Sequence, residues 1–455
     1  MAIPNHSRRT FLKTSLGAAA AVGFPTIVPS TVLGQDAPSN RINIGAIGVG
    51  RISRVHDMPG VWKYTTGARN NRIIAVCDLY APRVEQGKQL LNGVYSKQTG
   101  KDYNATIGYS DYRELLSNKD IDAVIISTPD HQHARLAVAA VRAKKDVYLQ
   151  KPASLTIAEG RFMSDHVMSS GQILQIGSQQ RSWKQFYRAC ELVRNGRIGK
   201  IQEVDVFVPA GLRAGPFQTR PVPGGLHWDL WQGQTAGVDY MPERCHGTFR
   251  WWWDYAGGPV TDWGAHHNDI ARWGIGQEGP LDVEAKVVTG PIPGGYTTPS
   301  EFEATLTWAN GVTQIVKTTP DDSPYGAVLK RDGQRNGIRF EGTDGWIWVN
   351  RDGFSASNED LATEPLPANA VRLESSGNHM KNFFDCVKSR KDPVSAVETG
   401  HRSAVVGHLI VIALRLGRKF QWDPAKEVFI GDGAAEGNAC LAREMRKPYD
   451  LSMVG

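Results

Sequence analysis

Apolar positions in the first 180 residues fall into short blocks, and between the blocks apolar residues recur at helical spacing. In "RINIGAIGVGRIS", Ile42, Ile44 and Ala46 alternate into Gly48-Val49-Gly50. That pattern predicts a buried strand, a tight glycine turn and a helix whose N-terminus faces the turn. A second strand, "RIIAVCD", ends at Asp78. Helix-like "DYRELLSN", strand "DAVIIS", helix "HARLAVAAVRAKK", strand "DVYLQ", helix "TIAEGRFMSDHVMSS" and strand "ILQIGSQ" continue the alternation. This order predicts an α/β fold with a doubly wound parallel sheet that binds ligands at the carboxyl ends of its strands.

Past residue 180 the period changes. "RACELVRNGRIGKI" reads as a helix, whereas "IQEVDVFV", "LDVEAKVVT", "FEATLTWANGVTQIVKTT" and "GIRFEGTDGWIWVNRDG" read as strands broken by turns such as "ANG" and "TDG". They predict a second sheet, antiparallel in character. Helices near 378–390 and 397–417 are expected to pack back against the first domain. With 455 residues the chain suits two domains. The expected boundaries are a leader over 1–34, a first domain over 38–178 and a second over 179–455.

The carboxyl edge of the parallel sheet gathers the candidate chemistry. Gly48-Val49-Gly50 lets the chain turn tightly and approach a phosphate, and the following helix offers its N-terminus to the anion. Ser53 stands where the third glycine of G-x-G-x-x-G is expected. Asp78 is placed to accept from the adenosine ribose and to repel a 2′-phosphate, so NAD is expected over NADP. Its separation from Gly50 exceeds the common ~20 residues, and an insertion at "HDMPGVWKYTTGARNN" accounts for the excess. "STPDHQH" from Ser127, "QKPAS" from Gln150 and "GSQQRS" from Gly177 complete the edge.

Gly48-Val49-Gly50, Asp78, Thr128-Pro129 with His133 downstream, Gln150-Lys151-Pro152 and "GGPVTDWGAHHNDIARW" follow one another along the chain. In this order they resemble the glucose-fructose oxidoreductase, inositol dehydrogenase and MocA (Gfo/Idh/MocA) family, essentially from residue 40 onward. "CHGTFRWWWDYAGG" and "NHMKNFFDCVKSRKDPV" look like its secreted branch. The resemblance implies a Rossmann domain followed by an α/β domain on a large, mostly antiparallel sheet whose outer face makes subunit contacts. A homo-oligomer, dimer or tetramer, is therefore expected. It also implies NAD-dependent oxidation of a carbohydrate CH–OH group. Expected dinucleotide contacts at the turn and first edge are Gly48, Gly50, Arg51, Ile52 and Asp78. Thr128, Pro129, His133, Gln150, Lys151 and Gln179 are expected to continue them. Where the family usually writes Glu-Lys-Pro, Gln150 keeps an acceptor for a ribose hydroxyl but removes a charge beside Lys151.

Oxidising a secondary alcohol needs a base for the hydroxyl proton, a group that holds the same oxygen, and an aligned nicotinamide. Asp262 and His266 are four apart in an expected helix, with Asp269 a further turn along the same face. By the resemblance His266 is the base, Asp262 holds the substrate or the imidazole, and Lys151 hydrogen-bonds the reacting hydroxyl. Arg181, His246, Arg250 and Trp252 are expected at the substrate, although three consecutive tryptophans, Trp251 to Trp253, cannot all face one cavity. Without the resemblance, a lysine before proline is ordinarily a solvated turn residue and a helical histidine a structural one. "DWGAHHND" could hold zinc, but complete ligand spacing is missing and no metal is expected.

"SRRTFLKTSLGAAAAVG" at residues 7–23 adds an address. Ser7-Arg8-Arg9-Thr10-Phe11-Leu12-Lys13 reads as a twin-arginine signal, whose translocase carries folded proteins. The protein is expected in the periplasm or otherwise exported, with cleavage near Gly34 and no stable membrane span. Export away from the cell's nicotinamide pool makes a tightly bound, recycled cofactor the expectation. The leader supplies Arg8, Arg9 and Lys13 to a formal net charge of +6, and the remainder is too small to argue for nucleic acid. Five scattered cysteines form no disulfide framework. Two other functions fit the same residues: a glycosidase that oxidises, eliminates and re-reduces, and a non-catalytic sugar-binding protein.

Overall fold

The computed structural model describes residues 41–63, 71–318 and 336–451; the twin-arginine stretch and the cleavage expected near Gly34 lie outside the described residues. The first sheet has six strands: β1 (Asn43–Ile47), β2 (Arg72–Cys77), β3 (Ile107–Tyr109), β4 (Ala123–Ile126), β5 (Asp146–Leu149) and β6 (Leu174–Ile176). Their order is β3-β2-β1-β4-β5-β6, and every pair is parallel. β4 and β5 are buried along their whole length, which is why they read as unbroken apolar runs. The order reverses between β1 and β4, opening the crevice in which such sheets bind ligands.

The second sheet has nine strands in the order β13-β12-β11-β7-β10-β9-β8-β14-β15. Its centre is β7 (Ile201–Val208), β8 (Pro280–Thr289), β9 (Glu301–Trp308), β10 (Thr313–Thr318) and β11 (Gly337–Gly342). β12 (Trp346–Val349) and β13 (Phe354–Ala356) extend one edge, while β14 (Phe420–Asp423) and β15 (Val428–Ile430) extend the other. Only β7 and β10 pair in parallel; the rest are antiparallel, as the turn signals foretell. β9 and β10 alternate buried and half-buried residues, the signature of a sheet covered more heavily on one face. The helices Lys184–Arg194, Trp263–Ile275 and Val397–Leu416 supply Phe186, Ile270 and Leu409 to that covered face. Gly274 is required there, since a Cβ would stand 2.4 Å from the Phe340 ring.

Both late helices return to the first sheet, as expected. Met380, Phe383 and Phe384 of the helix His379–Ser389 join Ile44, Val49 and Met58 in one core. Val397 and Ala404 pack beneath β4 to β6, whereas Val406 and Leu409 of the same helix pack under the second sheet. Arg161 reinforces the junction, its guanidinium bonded to both Glu398 and Glu427.

Candidate active site and dinucleotide cleft

The glycine turn builds its end of the cleft from backbone. Gly48 has φ +83°, and a Cβ there would lie 2.8 Å from the Ser127 carbonyl, so no other residue fits. Around Gly50 only the end of Arg83 comes within 4 Å, which leaves room for a ligand. Asp78 closes the turn: its carboxylate accepts from the Val49 and Tyr80 amides at 2.8 and 3.0 Å. Burial pushes this carboxyl upward, while Arg83 and the two amides oppose the shift. A cavity of about 310 Å³ opens over these residues, lined by Gly48, Gly50, Arg51, Ile52, Asp78, Thr128 and Pro129. Seven of the expected dinucleotide contacts thus share one wall.

At the carboxyl end of β5, Lys151 Nζ donates to Asp262 Oδ1 at 2.8 Å and to the Asp262 carbonyl at 2.9 Å. Arg250 Nε donates to the same Oδ1 at 3.1 Å, and Arg250 also lines the cavity. Burial would raise the Asp262 carboxyl, but the two cations outweigh it and hold the group at about 2. Asp262 stands at the N-cap of the helix Trp263–Ile275 rather than within it, and caps no amide. Its bonds run to Lys151 and Arg250, so the expected pairing with the His266 imidazole is replaced by a cation cluster. His266 is buried with Nδ1 unpartnered, which leaves Nε2 as the nitrogen able to meet a ligand. Burial, then Lys151 and Arg351, push the ring well below the usual imidazole range and keep it neutral. His267, next in sequence, turns the other way to Asn336 Oδ1 at 2.9 Å.

Several expected contacts lie elsewhere. Arg181, expected at the substrate, is 5% exposed and forms a bidentate pair with Asp269 at 2.7 and 2.8 Å. Ser403 Oγ completes the Asp269 carboxylate. Trp252 is 3% exposed in an aromatic core, its indole donating to the Glu243 carbonyl and the Arg244 guanidinium lying 4.0 Å from its centroid. His246 lines the cavity beside Tyr80, 5.7 Å between ring centroids. His133 does not line the cavity of the glycine turn; its ring lies between the Pro152 and Thr128 carbonyls at 2.6 and 3.0 Å and ties two loops of the edge together. Gln150 Nε2 donates to the buried Asp57 Oδ1 at 2.8 Å. A glutamate at 150 would face that carboxylate, which gives the departure from Glu-Lys-Pro a physical reason. Gln179 donates to the Tyr148 hydroxyl at 3.1 Å and lines a separate cavity.

Asp130 is a candidate that pattern reading passed over. Buried at 6% exposure, it is raised to about 7 by burial against the opposing fields of Arg250 and Lys151. The quoted "STPDHQH" contained it, and an acid among the ligand-facing loops of a doubly wound sheet was the available signal.

Two family descriptions cover most of the chain. Residues 42–178 match "Oxidoreductase family, NAD-binding Rossmann fold" and residues 213–451 match "Oxidoreductase family, C-terminal alpha/beta domain", the two parts of the Gfo/Idh/MocA family. Residues 5–25 match the twin-arginine translocation signal sequence. Among the described residues no helix is long and apolar enough to cross a membrane. The myo-inositol 2-dehydrogenase of Thermotoga maritima is 29% identical over 197 residues, 42% of this chain and 51% of that protein. The matched stretch thus spans about half the length of that relative. The scyllo-inositol 2-dehydrogenase (NAD(+)) of Bacillus subtilis is 22% identical over 398 residues, 86% of this chain and 99% of that protein. In fold, the chain resembles the WlbA dehydrogenase from Bordetella pertussis, solved with NADH and UDP-GlcNAcA. The TM-score is 0.60 at 19% identity, covering 84% of this chain and 99% of the other.

Proposed function

The chain belongs to the Gfo/Idh/MocA oxidoreductase family, and from that premise we propose that it is an exported, NAD-dependent oxidoreductase of a sugar, polyol or glycoside that retains its dinucleotide. The observation that carries the reading is the cluster of Lys151, Asp262 and Arg250, which reaches the cavity of the glycine turn through Arg250, with Lys151 close enough to His266 to act on its ring. NAD fits that cavity: Gly48 admits no Cβ, and Asp78 stands at its wall with both oxygens oriented by backbone amides. Bound there, nicotinamide supplies the hydride acceptor.

Lys151 then donates a hydrogen bond to the substrate hydroxyl, its position fixed by Asp262. His266 takes the hydroxyl proton at Nε2; kept neutral by burial and neighbouring cations, it is ready as a base. Arg250 holds Asp262 from the cavity side and keeps the cluster charge-balanced. A catalytically silent sugar-binding protein would gain nothing from this arrangement of a neutral base beside an ion-paired lysine.

The test uses protein recovered from the periplasm. Nicotinamide near one equivalent is expected to survive extensive dialysis, and a donor sugar from a library is expected to give a single-turnover burst of reduced, bound cofactor. A keto-acceptor should discharge it. Exported protein that is empty of dinucleotide yet fully active, or that consumes free NAD at every turnover, overturns the reading.

A further inference from the structure

The dinucleotide cavity has a second wall that the parallel sheet does not supply. Gly48, Asp78 and Pro129 line it from the first domain, and Leu230, Trp231, His246 and Phe249 line it from the second. These last four belong to one stretch, residues 225–250, which lies in the chain between β7 and β8. The stretch is stiffened by its own rings. Trp228 and Trp231 stack with centroids 4.9 Å apart, Tyr240 meets Trp228 edge-on at 5.2 Å, and Tyr255 meets Trp231 at 4.9 Å.

In the sheet order β1 lies between β2 and β4, and the glycine turn leaves its carboxyl end. The stretch is fastened to the loops on both sides of that turn. After β2, the Ala81 amide donates to the Gly225 carbonyl and the His227 amide to the Leu79 carbonyl, each at 2.9 Å, so that Tyr80 and Leu226 pair as an antiparallel bridge. After β4, the Trp231 carbonyl accepts from His131 Nε2 at 2.7 Å and from Gln132 Nε2 at 2.8 Å, and Gln234 Nε2 donates to the His131 carbonyl. A segment tied at the ends of β2 and β4 crosses the end of β1, and so crosses the Gly48 turn.

The two fastenings differ in strength. At the β4 end His131, Gln132, Trp231 and Gln234 are buried, and Arg446 adds bonds to the Asp229 and Gly233 carbonyls at 3.0 Å each. At the β2 end Ala81, Gly225 and His227 are exposed, and a Cβ at the neighbouring Gly224 would meet nothing within 4 Å. Backbone bonds in such an open, sparsely packed place are the first to part. His246 of the stretch is held at φ +58°, a left-handed backbone uncommon for histidine, beside Tyr80 of the β2 loop. Strain of this kind gathers at ligand clamps.

We propose that residues 225–250 form a latched strap over the bound dinucleotide, hinged at the β4 end and opening at the Leu79–Ala81 end, so that NAD enters and leaves only when the latch parts. The inference rests on the reading that this cavity retains NAD, and it gives that retention a structural cause. Arg250 rides on the same strap, and its bond to Asp262 Oδ1 at 3.1 Å is made with the strap down. A gate has a kinetic signature that a simple contact lacks. Weakening a contact to the ligand speeds release alone and raises Kd. Weakening a latch raises the open fraction of empty and loaded protein alike, so entry and release both quicken and Kd stays.

The experiment follows exchange of bound NAD against excess labelled NAD in the full holoprotein, and uptake of NAD by the same protein stripped of dinucleotide. His227→Pro removes one amide donor of the latch at a residue whose native φ of −82° lies close to the range a proline ring imposes. Release and uptake are each expected to quicken about fivefold, the scale of one hydrogen bond, with Kd unchanged. His227→Ala keeps the amide and is expected to match the wild type. Gly225→Ala puts a side chain on a backbone of φ +79° with its Cβ 3.2 Å from that of Ala81, and is expected to loosen the latch in the same direction; it decides the matter if His227→Pro does not fold. Wild-type rates in both latch variants overturn the proposal. So does faster release with unchanged uptake, which marks a ligand contact, and so does a His227→Ala as fast as His227→Pro. A wild type that loses its NAD to dialysis fails the retention reading alone, because the ratio of rates between variant and wild type still decides the latch. A wild type that takes up no NAD overturns both.

Discussion

The two ends of the cleft are built differently. At the dinucleotide end the working parts are backbone: the positive φ of Gly48 and the amides that hold Asp78. At the chemical end they are side-chain charges from distant stretches, with Lys151 after β5, Arg250 in a short 3₁₀ turn and Asp262 at a helix N-cap. A backbone turn keeps its shape whatever its neighbours are. A charge cluster holds only when complete, because removing one member leaves another uncompensated away from water. Substitutions at the two ends should therefore fail in different ways.

The sharpest separation is expected from Lys151→Ala. It removes one of two cations on Asp262 and, on the proposed function, the hydroxyl donor, and turnover should fall ~10²–10⁴-fold while dinucleotide occupancy stays near that of the wild type. Single-turnover reduction of the bound cofactor measures the first, and absorbance of the dialysed protein the second; unchanged turnover would erase the distinction. Next in size is Arg181→Ala, which strands Asp269 in the core. A loss of about 3–5 kcal/mol is expected for one partner of a buried pair, read as a large drop in melting temperature. Full stability with a raised KM would instead return Arg181 to the substrate.

An effect of comparable size should come from acid. Burial pushes the rings of His131 and His408 down to about 3, and that of His133 to about 4. The unfolded chain protonates these histidines near pH 6.5, whereas the native protein resists to about pH 4. Stability is then full above pH 6.5 and falls as the pH drops from 6.5 toward 4, by up to ~1.4 kcal/mol per pH unit for each ring. Denaturant titrations at pH 7.5 and 5.5 measure it, and equal midpoints would contradict neutral, buried rings. The smallest change is expected from Asp78→Ser. Loss of one charge facing a 2′-phosphate should narrow the preference for NAD over NADP by about fivefold, on the ~1 kcal/mol scale of a solvated contact. Competition between the two dinucleotides for apoprotein reads it out.

Legibility in the sequence followed the same division. Ile42, Ile44 and Ala46 announce β1, and Gly48 announces its turn, because strand and turn depend on neighbours a few residues away. The nine-stranded sheet was visible in its hairpins, as at Asn310-Gly311, while the parallel pairing of β7 with β10 depends on strands more than 100 residues apart and has no local sign. Arg181 and Trp252 were misplaced because a residue type does not tell whether a partner waits in the core. Asp269, 88 residues downstream, decides the fate of Arg181. Lys151, His266 and Asp262 were singled out through family resemblance rather than through local pattern.

The return of the helix His379–Ser389 to the first core sets an order of assembly. The ribosome delivers all six strands of the cofactor sheet long before Met380, Phe383 and Phe384 emerge to cover Ile44, Val49 and Met58. A nascent chain therefore presents an unfinished core, with Ile44, Val49 and Met58 still open to water. A translocase that accepts only folded cargo, the route matched by residues 5–25, would then also act as a checkpoint: a chain truncated before Met380 lacks the cover of its cofactor core and stays behind.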